Sequence, residues 1–161
     1  MVLKQRYIAK KRLSFLTNGR NHLFGCAFTM KGGFMYVNFN ENPRGNYYAG
    51  DCVIRAINIV TGISWDEIYT TLCAEGFYLG DWGNTNASWD WYLRSLGFKR
   101  HICPNDCPFC YSLVDFANDH PNGKYIVATG THAVAVVNGD YYDAWDSGHV
   151  MPIYYYTKEG E

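Results

Sequence analysis

Asn138-Gly139 sits between two strand-like runs, residues 131–137 and 140–145, and that dipeptide commits the chain to a tight hairpin. Asn and Gly both accept the positive φ of a two-residue type I′ loop. The flanking Thr-His-Ala-Val-Ala-Val-Val and Asp-Tyr-Tyr-Asp-Ala-Trp read as its strands. Loop length sets the register. With residues 138 and 139 alone as the loop, His132 faces Trp145, Asp143 is its diagonal neighbour on the same face, and Asp146 points the other way. A loop of residues 138–140 would instead set Asp146 opposite His132. The shorter loop is preferred, and with it Asp143. Taken alone, His132 also reads as a hydrogen-bonded sheet histidine with no further role.

A candidate nucleophile lies upstream. In Gly50-Asp51-Cys52-Val53-Ile54-Arg55-Ala56-Ile57-Asn58-Ile59-Val60-Thr61-Gly62, the residues Val53, Ile57 and Val60, with Ile54 beside them, recur at helical spacing. Gly62 stands where a left-handed residue ends a helix. Cys52 therefore falls in the first turn, where unpaired amides and the positive end of the dipole stabilise an anion and can donate to an oxyanion. Free cysteines are more often small buried apolar residues, and that reading stays open on position alone. A thiol is mostly protonated at neutral pH; it becomes a useful nucleophile when a helix N-terminus, an imidazole and an orienting third group act together. Cys52, His132 and Asp143 supply that set.

The run at residues 50–57, Gly130-Thr131-His132-Ala133-Val134-Ala135-Val136 and Tyr142-Asp143-Ala144-Trp145 together resemble the papain-like cysteine peptidase superfamily, in particular its small bacterial and phage-encoded members. The likeness covers residues 35–156. The Cys run also resembles the ovarian-tumour-type deubiquitinase signature, in which Asp-Gly-Asn-Cys is followed by an Arg-Ala pair; the Asp of that signature is Ala49 here. Papain-type enzymes carry Asn followed by Ser-Trp as the third member, and Asp143-Ala144-Trp145 fits with Asp in place of Asn. They place a Gln six residues before the nucleophile to hold the oxyanion, and Asn46, a shorter amide, occupies that position.

The resemblance implies an α+β fold in which the helix bearing the nucleophile packs on an antiparallel sheet bearing the histidine. It also implies a mechanism. His132 takes the thiol proton, Asp143 fixes the imidazole, and Cys52 attacks a carbonyl to form a thioester acyl-enzyme. The Cys52 amide and Asn46 hold the oxyanion, and Trp145 shields the His132–Asp143 contact from water. The expected activity is that of a thiol protease or related hydrolase, cleaving a peptide or isopeptide bond in a bacterium or its bacteriophage. Two alternatives stay open: another acyl-transfer enzyme on this fold, such as a deamidase or transglutaminase-like protein, and a non-catalytic binding protein that retains the fold. A Cys52 sulfur far from His132 would favour the last.

A chain of 161 residues, 48% hydrophobic and 17% aromatic, can bury one sizeable core, so a single domain is expected. No apolar run is long enough to span a bilayer, and residues 13–16 and 23–28 are too broken by polar residues for a signal-peptide core. A cytoplasmic protein is expected, with its six cysteines as thiols, metal ligands or chance occurrences in place of disulfides.

Residues 1–34 hold seven of the 14 Lys and Arg and none of the 15 Asp and Glu, so a basic tail precedes an acidic body at residues 35–161. Such an arm can bind nucleic acid or a membrane surface. A duller origin is that Lys31-Gly32-Gly33-Phe34-Met35 translates a ribosome-binding sequence, a short spacer and a start codon, which would make Met35 the true start. The expected partner is a protein or peptide substrate, with no membrane and no nucleic acid. If Met35 is the start, a chain beginning there should melt at the same temperature as the 161-residue chain in a thermal scan. A large loss of stability on truncation would overturn that reading.

Further helices are expected from Ser64-x-x-Glu67 to Ala74, closed by Gly76; over residues 88–95; and from Ser112-x-x-Asp115 to just before Pro121. Residues 77–86 read as a loop, and residues 124–129 and 150–156 as strands joining the hairpin. Cys103-x3-Cys107-x2-Cys110, with His101 and His120 nearby, offers soft ligands for zinc but lacks the two-and-two pairing of strong zinc motifs. The same cysteines match the cluster spacing of radical S-adenosylmethionine enzymes, which carry it early in a much longer barrel, whereas only 51 residues follow Cys110. No metal or cofactor is assigned. Tyr47, Tyr48, Trp82, Trp89, Trp91 and Tyr154, Tyr155 and Tyr156 either line a groove or fill the core, and core is expected for most of them.

Overall fold

The computed structural model describes residues 34–104 and 110–158; the tail of residues 1–33, Cys107 and residues 159–161 lie outside the described residues. The elements follow in the order β1 (Tyr36–Asn38), α1 (Cys52–Thr61), α2 (Trp65–Leu79), α3 (Asn86–Ser95), β2 (Lys99–Ile102), α4 (Leu113–Asp119), β3 (Lys124–Ala128), β4 (Ala133–Val137), β5 (Asp140–Asp143) and β6 (Tyr154–Thr157). Alternation along β3 and β4 explains the layering. Ile126, Ala128, Ala133 and Ala135 face the cluster built by α1, α2 and α3, whereas Val127, Val134 and Val136 face α4 through Leu113, Phe116 and Ala117. The side toward α1 is rich in alanine. Small side chains there let the helix lie close to the sheet, which brings the first turn of α1 to the start of β4.

The fold is α+β, with one correction: the sheet is mixed, not antiparallel. Its order is β1-β5-β4-β3-β6-β2. β1 runs parallel to β5, with Tyr36 beside Tyr141, while every other neighbouring pair is antiparallel. β1 and β2 have no counterpart among the expected strands. Both are short edge strands without a buried residue, so neither carries the apolar alternation that marks a strand from sequence.

Ser64 caps α2 by accepting from the Glu67 amide at 3.2 Å, but α2 does not stop at Gly76. It continues to Leu79 and ends at Gly80, which has φ 69°. Gly76 serves packing instead of termination. A Cβ there would meet the backbone of Asp81, Trp82 and Gly83 at 2.6–2.7 Å, and one on Gly83 would meet the Leu72 carbonyl at the same range. The bare glycines let the following loop lie directly against the helix. The third helix begins at Asn86, two residues before the expected start, and α4 has both halves of its Ser112–Asp115 capping box.

The expectation that most of these aromatic residues are core does not hold. Trp89, Tyr154 and Tyr156 are buried, but Tyr47, Tyr48, Trp82 and Trp91 are exposed. These four lie on loops or on the outer face of α3, where no second layer covers them. Among the described residues, no helix is long and apolar enough to cross a membrane.

Candidate active site

The hairpin holds two of the three candidate residues. Asn138 and Gly139 take φ 53° and 85°, and Ala135 pairs with Tyr142, Val136 with Tyr141 and Val137 with Asp140, the register of the two-residue loop. His132 lies just before β4, and its backbone carbonyl accepts from the Thr129 amide at 2.9 Å. Its Nε2 is 2.6 Å from Oδ2 of the buried Asp143, whose Oδ1 accepts from the Ala144 amide at 2.7 Å. The carboxylate is thus fixed at both oxygens, and it fixes the ring. The Trp145 ring lies 5.6 Å from the imidazole, tilted by 31°.

Asp146 is turned elsewhere, accepting from the Tyr141 hydroxyl at 2.5 Å and the Gly148 amide at 3.2 Å. If Cys52 and His132 act as nucleophile and base, Asp143→Ala should lower turnover by about 10²-fold or more, the scale of general acid–base assistance. Asp146→Ala should act on the stability of the Ser147-Gly148 turn. A steady-state comparison in which Asp146→Ala lost more turnover than Asp143→Ala would reverse the assignment.

Cys52 opens α1. Asp51 precedes it as the N-cap, yet its side chain makes no capping bond to the helix. The Asp51 carboxylate instead accepts from Asn42 Nδ2 at 2.9 Å, from Trp65 Nε1 at 3.0 Å and from the Arg55 guanidinium. Arg55 also donates to Asn40 Oδ1 at 3.2 Å. Both members of the Asp51–Arg55 pair are buried, one residue before Cys52 and three after it. The consequence is electrostatic: a side chain well suited to neutralise the first-turn amides is held away from them, so the positive end of α1 stays available to the thiol. The pair is a spacing that sequence reading overlooked. Asp and Arg at i and i+4 around Cys52 were the signal.

Burial alone would push the Cys52 thiol up. Hydrogen bonds from His132 and from the Ala133 backbone amide, with the positive charges of His132 and Arg55, outweigh burial and leave the thiol below its ordinary value. His132 moves the other way. Burial would lower it, but the bonds and charges of Asp143 and Cys52 raise it to about 9. Since Nε2 is bonded to Asp143, Nδ1 is the ring nitrogen left for the sulfur. Both shifts act in the same sense, favouring movement of the thiol proton toward the imidazole.

A cleft of about 600 Å³ opens at this pair, lined by Cys52, His132, Gly130, Thr131, Asn84 and Asn86 among others. Asn46 is absent from that lining. It is an exposed loop residue on a neighbouring cavity, and its side-chain oxygen accepts from the Tyr48 amide at 3.3 Å. The structure brings Cys52, His132 and Asp143 together and leaves Asn46 outside the Cys52 cleft.

The other cysteines have different surroundings. Cys103 is buried, which pushes its thiol up to about 11, whereas Cys73 and Cys110 are exposed. His101 stacks on Tyr155 with centroids 5.0 Å apart, whereas His120 meets Tyr155 edge-on at 5.5 Å and stacks on Phe116. Among the described residues, no group of three or more His, Cys, Asp or Glu is arranged to hold a metal ion; Cys107, the middle residue of the zinc-like spacing, lies outside them.

Compared with protein-family models, with curated proteins and with solved structures, the chain matches none.

Proposed function

We propose that this chain is a papain-like cysteine peptidase or related hydrolase that cleaves a peptide or isopeptide bond through Cys52, His132 and Asp143. The observation that carries the reading is that Cys52, in the first turn of α1, and His132, held by Asp143 at 2.6 Å, line one cleft. A binding protein without activity would have no need of a thiol held against an imidazole, and this contact supports an enzyme.

The Cys52 thiolate adds to the carbonyl carbon, and the carbonyl π electrons move onto oxygen. The first-turn amides of α1 hold that oxyanion; Asn46, from its place on the neighbouring cavity, has no assigned part in this step. When the tetrahedral centre collapses, the bond to nitrogen breaks and His132 gives its proton to the leaving amine, leaving the acyl group as a thioester on Cys52. Water then attacks the thioester, with His132 as base, and releases the acid.

A peptidyl acyloxymethyl ketone should modify Cys52 before the other five cysteines, as mapped by peptide mass analysis. Preferential modification of Cys73 or Cys110 in the folded chain, with Cys52 untouched, would count against the nucleophile. The pH dependence has a determined sign. Turnover should rise through the depressed value of the Cys52 thiol, as thiolate forms, and fall as pH passes about 9, where His132 loses the proton needed by the leaving amine.

A further inference from the structure

α2 and α4 begin alike: Ser64 and Ser112 accept from first-turn amides, and each helix has an acid in its first turn. α1 and α3 do not. Neither has an acid there, and the residue that could cap each is turned elsewhere. Asp51 is held by Asn42, Trp65 and Arg55, and Thr85 Oγ1 donates to the Trp82 carbonyl at 3.0 Å. Both uncapped ends line one cleft, through Cys52 and Val53 of α1 and through Thr85 and Asn86 at the start of α3. We propose that this cleft selects its substrate by a carboxylate close to the scissile bond, bound at the start of α3 and drawn in by the charge of Arg55. The proposal rests on the peptidase reading given above and adds the substrate class to it.

A helix start without a side-chain cap leaves amide donors and a partial positive charge for an anion. In the proposed mechanism those of α1 serve Cys52 and the oxyanion. The start of α3 is therefore left for a second group. Asn86 adds to it, because its Oδ1 accepts from Trp89 Nε1 at 3.2 Å, which fixes the amide and leaves the Nδ2 hydrogens as donors.

Arg55 is an independent sign of the same ligand. It is only 7% exposed, yet it lines the cleft. Its Nη1 donates to Asn40 Oδ1 and Asp51 Oδ1, while Nη2 and Nε donate to nothing among the described residues. A guanidinium withdrawn from bulk water with donors to spare calls for an acceptor, and a carboxylate fits its fork. Asp51, its partner, lines the neighbouring cavity and is shared with Asn42 and Trp65.

The distribution of charge agrees. All 15 Asp and Glu of the chain lie in residues 35–161, against seven Lys and Arg there. Among the described residues, none of those acids lines the Cys52 cleft, whereas Asp51 and Asp66 line one neighbouring cavity and Glu41 and Asp66 another. An acidic body that keeps its acids out of one cleft leaves that cleft attractive to an anion. In a peptide the anion is a carboxylate, borne by the residue before the scissile bond, by the residue after it, or by the chain terminus.

The test uses the full chain and a library of peptides paired so that each carries Glu or Gln on either side of every bond and ends in a free acid or an amide, with products read by mass spectrometry. For one of the three sources, the charged form should be cleaved about tenfold to hundredfold faster than its neutral amide. The source that shows the ratio identifies the group bound. Asn84→Asp and Asn86→Asp should each lower that ratio by about fivefold or more, since a fixed carboxylate then lines the cleft that would take the substrate's. An acid is favoured at the start of a helix, so neither variant endangers folding. Asn122→Asp, which adds the same charge at an exposed site outside the cleft, should leave the ratio unchanged. Ratios near one for all three sources, or a ratio that survives in both cleft variants, would overturn the carboxylate selection while leaving the nucleophile in place. If the native chain cuts no peptide that Cys52→Ala leaves intact, the peptidase reading fails and the selection falls with it.

Discussion

Cys52→Ala is expected to abolish cleavage of any peptide that the native chain hydrolyses, and His132→Ala to lower it by about 10⁴–10⁶-fold. The basis is the behaviour of coupled nucleophile and base pairs: removing either one forfeits nearly all of the covalent route, because the thiol, the imidazole and the carboxylate act as one unit. The measurement is the initial rate on a fluorogenic peptide selected with the native chain, with circular dichroism to establish that each variant is folded. Cys52→Ala retaining more than about a hundredth of the native rate would remove Cys52 from the mechanism, since a backbone oxyanion site and substrate binding alone give far less. His132→Ala should also slow iodoacetamide at Cys52, because the thiol then loses both a hydrogen bond and a neighbouring positive charge while its burial remains.

Arg55→Met is expected to cost about 3–5 kcal/mol of stability, read from a urea denaturation midpoint. The substitution removes the guanidinium from a buried pair and leaves the Asp51 carboxylate with only Asn42 and Trp65 as partners in a low-dielectric site. The double variant Asp51→Leu with Arg55→Met should recover much of the loss, since replacing both charges avoids the unpaired one. A cost below about 1 kcal/mol for Arg55→Met would show that the pair is as dispensable as a surface ion pair. Asp51→Leu alone should also alter Cys52 reactivity, as it frees the segment that fixes the start of α1.

The parts of this fold legible in the sequence are those in which one local rule decides the structure. The Asn138-Gly139 turn set the β4–β5 register because both positions require positive φ, and with it the meeting of His132 and Asp143. α1 was legible from its apolar stripe, and α4 from its capping box. What escaped depends on neighbours distant along the chain. β1 exists because β5 offers a free edge, and nothing in Tyr-Val-Asn announces a strand. Gly76 reads as a stop because glycine commonly ends a helix; only the loop of residues 81–83 returning onto α2 turns it into a packing site. The Asp51–Arg55 pair was hidden for a related reason. An Asp before a helix is ordinarily a cap, and its burial among Asn42, Trp65 and Arg55 is a tertiary fact.

His132 and Asp143 are 11 residues apart on one hairpin, an element of a kind that forms in about 1–10 μs, whereas Cys52 reaches them only when α1 docks from far along the chain. The contact between His132 and Asp143 is thus local in sequence, whereas that of Cys52 with them is long-range. Before docking, Cys52 lacks the imidazole and the Ala133 amide and behaves as an ordinary solvated thiol. Chains still emerging from the ribosome, or partly unfolded by heat, then carry a latent nucleophile, and chemical competence arrives with the last long-range contact. Under the proposed function, a newly made molecule is harmless to its neighbours until its own folding is complete.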